Sequence, residues 1–132
     1  MNKPKQKSIL VMDNEADILS SMKTILKKQK YDVTCVNTGK KAIKEYEKRK
    51  FDLVILDVMM PDLSGWDVFN RIKKINSNQK VIFVSALEVS AERKRQLEDS
   101  GVAEYITKPF DLNTFISNIR TIMNIDDKKS YL

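Results

Sequence analysis

Histidine is absent from this sequence. Serine–histidine–aspartate and cysteine–histidine catalysis go with it, and so does every metal site that needs an imidazole ligand. Cysteine occurs once, at Cys35, so no disulfide can form within the chain, which fits a cytoplasmic, reducing setting. No apolar run approaches the length that spans a bilayer, and no membrane insertion is expected. The start, Met1-Asn2-Lys3-Pro4-Lys5-Gln6-Lys7, is cationic but lacks the apolar stretch of a secretory signal. Internal linkers, repeats and low-complexity segments are missing too. The 132 residues therefore read as one domain, 1–132, with a folded core over about 7–124 and a polar tail over 125–132. Its 42% hydrophobic and 32% charged content is enough for an ordinary buried core.

Negative charge is scarce in one stretch. Residues 21–50 carry ten Lys/Arg against three acids, a local +7 within a chain of net +6, so the remainder sums to −1. Such a face could meet nucleic acid or an acidic partner. No recognition helix or aromatic stacking motif accompanies it, so a solvated lysine-rich helix face is preferred and no direct nucleic acid binding is expected.

What is present is an alternation of strand and helix patterns, five of each. Apolar runs at 9–12, 53–56 and 81–84 read as buried strands. Residues 31–36 alternate more, with Asp32 and Thr34 interrupting, as an edge strand would, and 103–106 forms a short last strand. Ile18, Leu19, Met22, Ile25 and Leu26 mark one face of the first helix. Ala42, Ile43 and Tyr46 mark the second, after a Thr38 cap. Ser64-Gly65-Trp66-Asp67 resembles a capping box, followed by the stripe Phe69, Ile72, Ile75. On that spacing Trp66 and Phe69 belong to the core rather than to a ligand site. The helix expected over 89–99 has few apolar anchors, Val89, Ala91 and Leu97, and should pack weakly. Asp111 can cap the last helix, with Leu112, Phe115, Ile116, Ile119, Ile122 and Met123 facing in. Alternating β and α with short joints implies an α/β fold, a flavodoxin-like doubly wound five-stranded parallel sheet of order 2-1-3-4-5 with five helices.

Four strand ends carry chemistry. Asp13 follows Ile9-Leu10-Val11-Met12, Asp57 follows Leu53-Val54-Ile55-Leu56, Ser85 follows Val81-Ile82-Phe83-Val84, and Lys108 follows Tyr105-Ile106-Thr107. In a parallel sheet these ends share one edge, where open α/β folds keep their sites. Two acids, a hydroxyl and an amine suit a divalent metal and a phosphoryl group.

With Val11-Met12-Asp13-Asn14-Glu15, Leu56-Asp57-Val58-Met59-Met60-Pro61-Asp62-Leu63-Ser64-Gly65, Ser85-Ala86 and Lys108-Pro109-Phe110, residues 7–124 resemble the receiver domain of two-component response regulators, stand-alone or isolated from a longer chain. The resemblance implies that Asp57 accepts a phosphoryl group from a sensor histidine kinase or phosphotransfer protein. Asp13, Asp57 and the backbone carbonyl of Met59 would hold Mg²⁺, with Asn14 as a further candidate ligand. Ser85 and Lys108 would contact the phosphoryl group, and Tyr105 would turn inward to report it. Lys108-Pro109 is a candidate cis bond. Output would pass through helix 4, strand 5 and helix 5 to a downstream protein or to a second, phosphorylation-linked copy of the chain. Such a protein is a signalling phosphoacceptor rather than an enzyme, although it catalyses its own phosphoryl transfer and slow dephosphorylation.

One departure stands out. The family usually has two adjacent acids after the first strand, and here the second is Asn14. The rival reading is a pseudo-receiver, an unphosphorylated protein-interaction module. A haloacid-dehalogenase-like phosphatase would need an acid where Met59 stands. A flavodoxin would need a neutral phosphate loop where Asp13, Glu15 and Asp17 stand.

Overall fold

The computed structural model describes residues 6–129, with side chains through residue 124. The elements alternate: β1 (Ser8–Met12), α1 (Ala16–Lys28), β2 (Asp32–Val36), α2 (Gly39–Lys48), β3 (Leu53–Leu56), α3 (Gly65–Ile75), β4 (Val81–Ser85), α4 (Ala91–Asp99), β5 (Val102–Thr107) and α5 (Leu112–Lys129). All strand pairs are parallel and the order is β2-β1-β3-β4-β5. The expected fold class and strand order are what the chain adopts.

The central strands are continuous apolar runs because both of their faces are covered. Ile9, Val11, Leu53, Ile55, Ile82 and Val84 pack with Met22 and Leu26 of α1 and with Phe115, Ile119 and Met123 of α5. Leu10, Met12, Val54, Leu56 and Phe83 pack on the other face, with Ala42, Ile43 and Tyr46 of α2 and Val68, Phe69 and Ile72 of α3. Trp66 rests against this second core, its ring 4.6 Å from that of Phe83. Asp111 accepts the Thr114 N–H at 2.9 Å and so caps α5. No helix among the described residues is long and apolar enough to cross a membrane.

Several boundaries differ from the sequence expectations. α4 starts at Ala91, not 89, because the Ser90 hydroxyl accepts the Arg93 N–H while the Ser90 backbone is still extended. Leu97 is the one buried residue of that helix. Ile75 and Leu112, expected to face inward, are 55% and 43% exposed. Each is the terminal residue of its helix. The expected polar tail continues as helix through Lys129, and 130–132 lie outside the described residues.

Candidate functional site

Met12 of β1 lies opposite Leu56 of β3, so the residues that follow them leave the sheet side by side. The ladder runs one step further: the Asp57 N–H donates to Met12 O at 3.1 Å, and the Asp13 N–H to Val36 O at 3.2 Å. Asp13 is fully buried and Asp57 is 3% exposed. Two carboxylates side by side without water need a cation.

Lys108 supplies it. Its N–H donates to Ser85 O at 2.8 Å, which extends the β4–β5 pairing by one residue, and its bond to Pro109 is cis. Lys108 Nζ lies 2.7 Å from Asp13 Oδ2, 2.9 Å from Asp57 Oδ2 and 3.6 Å from Glu15 Oε1. The other carboxylate oxygens take backbone donors, Asp13 Oδ1 from the Glu15 N–H at 2.9 Å and Asp57 Oδ1 from the Met59 N–H at 3.0 Å. Burial pushes the Asp13 carboxyl above its usual range, against the pull of the adjacent Lys108 ammonium and of the Glu15 N–H. Burial alone would lower Lys108, but its bonds to Asp13 and Asp57 outweigh it and hold the amine above its ordinary value. The amine stays charged.

Gly65 closes the loop after Asp57, its N–H donating to Val58 O at 2.9 Å. A Cβ on Gly65 would lie 2.3 Å from Asp57 O, so no larger residue fits without moving the acid. Ser64 caps α3 by accepting the Asp67 N–H, as the capping box predicts.

Ser85 is fully buried and its Oγ accepts the Leu87 N–H at 3.2 Å. Tyr105 is expected to turn inward on phosphorylation, yet here it is already inside. Its ring is 8% exposed and its hydroxyl donates to Leu87 O. The ring of Trp66 stacks on that of Tyr105, with centroids 6.4 Å apart. Burial raises the Tyr105 phenol, offset in part by the neighbouring Ser85 hydroxyl.

Among the described residues no group of three or more His, Cys, Asp or Glu side chains converges on one point. The pocket instead offers two carboxylates, and Asp13 Oδ2, though buried and ion-paired, has no aligned hydrogen bond. Mg²⁺ is held through one or two carboxylates and keeps several waters, so this donor set fits it and would suit zinc poorly. Asn14 is exposed. The structure thus brings Asp13, Asp57 and Lys108 into contact, keeps Ser85 and Tyr105 together at the neighbouring strand ends, and leaves Asn14 at the surface. Sequence reasoning gave no role to Glu15, which reaches Lys108, or to Asp62, described below.

The response regulator receiver domain family matches residues 9–120. The chain belongs to that family. Receivers are signalling proteins rather than conventional enzymes; they bind Mg²⁺ at the phosphorylation site and exchange signals with histidine kinases and downstream effectors. Among curated relatives, the transcriptional regulatory protein CrdR of Helicobacter pylori is 32% identical over 92% of this chain and 57% of its own length. The sensory transduction protein RegX3 of Mycolicibacterium smegmatis is 31% identical over 88% of this chain and 50% of its own. This receiver spans about half the length of these relatives. Among solved structures, the non-phosphorylated HemR receiver domain from Leptospira biflexa superposes with a TM-score of 0.84 at 31% identity, covering 91% of this chain and 96% of that one. The regulator TrrA from Thermotoga maritima, in complex with Mg²⁺ and BeF, gives 0.76 at 29% identity, covering 89% and 99%.

Proposed function

We propose that this receiver accepts a phosphoryl group on Asp57 from a histidine kinase or phosphotransfer protein in the cytoplasm, with Mg²⁺ bound, and so changes its binding to a downstream protein. The observation that carries the reading is the Lys108 amine held within 2.9 Å of both buried carboxylates at the carboxyl edge of the sheet. A structural ion pair needs one acid; a site awaiting a phosphoryl group needs an acceptor, a metal ligand and a mobile cation.

Asp57 keeps lone pairs beyond the bonds from Met59 N–H and Lys108, and one of its oxygens attacks phosphorus. The phosphorus–nitrogen bond to the donor imidazole breaks with its electrons leaving on that nitrogen, and an acyl phosphate forms. Lys108 transfers from the carboxylate to the incoming phosphoryl oxygens, and the Ser85 hydroxyl supplies a hydrogen bond. Asp13, Asp57 and the Met59 carbonyl would hold Mg²⁺, whose charge lowers the cost of bringing two anions together. The donor approaches over an open depression of about 430 Å³ beside Lys108, walled by Ile18, Ala86, Pro109, Phe110 and Leu112. This wall gives the exposed Leu112 a use.

Acetyl phosphate labelling followed by mass spectrometry tests the reading. Wild type should take up about one phosphoryl group per chain with Mg²⁺ and none with a chelator, and Asp57→Asn should take up none. Label persisting in Asp57→Asn would remove Asp57 as acceptor. The pseudo-receiver reading has the exposed Asn14 as its one support, and it requires that wild type remain unlabelled.

A further inference from the structure

Asp62 sits in the loop between β3 and α3, but its carboxylate is committed to another element. Oδ1 accepts the Gly39 N–H at 2.8 Å and Oδ2 the Lys40 N–H at 3.0 Å. These are the first two N–H groups of α2, which the helix cannot pair for itself. Thr38 takes the next, from Lys41 at 3.1 Å. α2 has no acid in its first turn, where Lys40 and Lys41 instead oppose the helix dipole. Asp62 supplies the missing negative charge from 23 positions away in the chain.

Close packing accompanies the charge. A Cβ on Gly39 would lie 2.7 Å from Leu63 Cβ and 2.9 Å from Leu63 O, so the loop and the helix start are in direct contact. The loop is therefore tied twice, by Gly65 N–H to Val58 O and by Asp62 to α2. Between these ties Met59 is 57% exposed and Pro61 is exposed, so burial alone does not fix this backbone.

We propose that Asp62 is a positioning residue for the acceptor loop: its hold on α2 fixes the loop that carries the Met59 carbonyl, and so tunes Mg²⁺ affinity. The proposal rests on the phosphoacceptor reading, which alone gives the Met59 carbonyl an ion to face.

Mg²⁺ titrations followed through the single Trp66 test it in Asp62→Ala, Asp62→Asn and Gly39→Ala, with urea midpoints measured on each. Loss of a contact that supports a metal ligand costs about tenfold or more in affinity, and Asp62→Ala should raise the Mg²⁺ Kd by about that factor. Asn retains an acceptor for the Gly39 N–H and should recover most of it. Gly39→Ala, which displaces Leu63 from the helix side, should weaken Mg²⁺ as well. Tyr46→Phe is the control for general loosening, since it removes the 2.7 Å bond to Gln79 at the far end of the sheet and should leave Kd unchanged. A wild-type Kd in Asp62→Ala overturns the proposal, and so does a loss that Tyr46→Phe reproduces at a matched urea midpoint. Acetyl phosphate labelling of the same proteins separates the two layers. If wild type labels on Asp57 while Asp62→Ala binds Mg²⁺ normally, only the positioning role fails. If wild type takes no label, the acceptor reading falls and this proposal falls with it.

Discussion

Asn14 is one methylene shorter than a glutamine and one charge short of the aspartate that usually stands at its position in the family. The pocket beneath it already holds two buried carboxylates against one ammonium. A third carboxylate would add a hard-cation ligand and, without the cation, a repulsion. Asn14→Asp should therefore tighten the Mg²⁺ titration read by Trp66 and lower the urea midpoint in chelator; an unchanged titration would mean that position 14 does not reach the ion. Individual residues were legible in the sequence to the extent that their roles depend on strand ends. Asp13 and Asp57 each close an apolar run, Lys108 follows a short mixed strand, and parallel pairing does the rest. Glu15 and Asp62 carry no such mark. Glu15 looks like one more charge at a helix start, and the Asp62 contact joins segments with no local pattern between them.

α4 shows how an element and its weak anchoring can be recognised while one of its ties goes unseen. Its low apolar content was visible in the sequence, and Leu97 is its sole buried residue. Its tie to α3, the exposed Arg93 guanidinium 5.4 Å over the half-buried Trp66 ring, is a contact that periodicity does not register. Such a contact contributes on the order of 0.5–1 kcal/mol. A helix held this lightly opens readily. Under the proposed function a phosphoryl group draws on the Ser85 hydroxyl, which now accepts the Leu87 N–H, and the segment leading into α4 must rearrange. Hydrogen exchange with and without beryllofluoride should change most within residues 86–106, and the basic stretch 21–50 should change little. A response centred on 21–50 would move the output surface to α1 and α2.

At the scale of the whole molecule, acid stability follows from the loop–helix tie. Backbone N–H groups of Gly39 and Lys40 lower Asp62 from 3.8 to about 2. A depressed carboxylate stabilises the fold fully above its unfolded value and loses that contribution as pH falls through its folded value. The window thus runs from about pH 4 down to about pH 2. Urea unfolding across that range should be less steeply pH-dependent in Asp62→Asn than in wild type; equal slopes would show that the carboxylate charge is not felt by the fold. Sheet order and the two cores could be read from the sequence because burial on both faces leaves uninterrupted apolar strands. Side-chain state could not, and Tyr105 is the case that matters. Under the proposed function, a phosphoryl group acts through Tyr105 only by the difference it makes between two placements of that ring. With the ring already inside, resting on Trp66 and bonded to Leu87 O, part of that difference is present before any signal arrives. Under the proposed function such a receiver would idle above zero: its partner would see a basal signal, and phosphorylation would act over a compressed dynamic range.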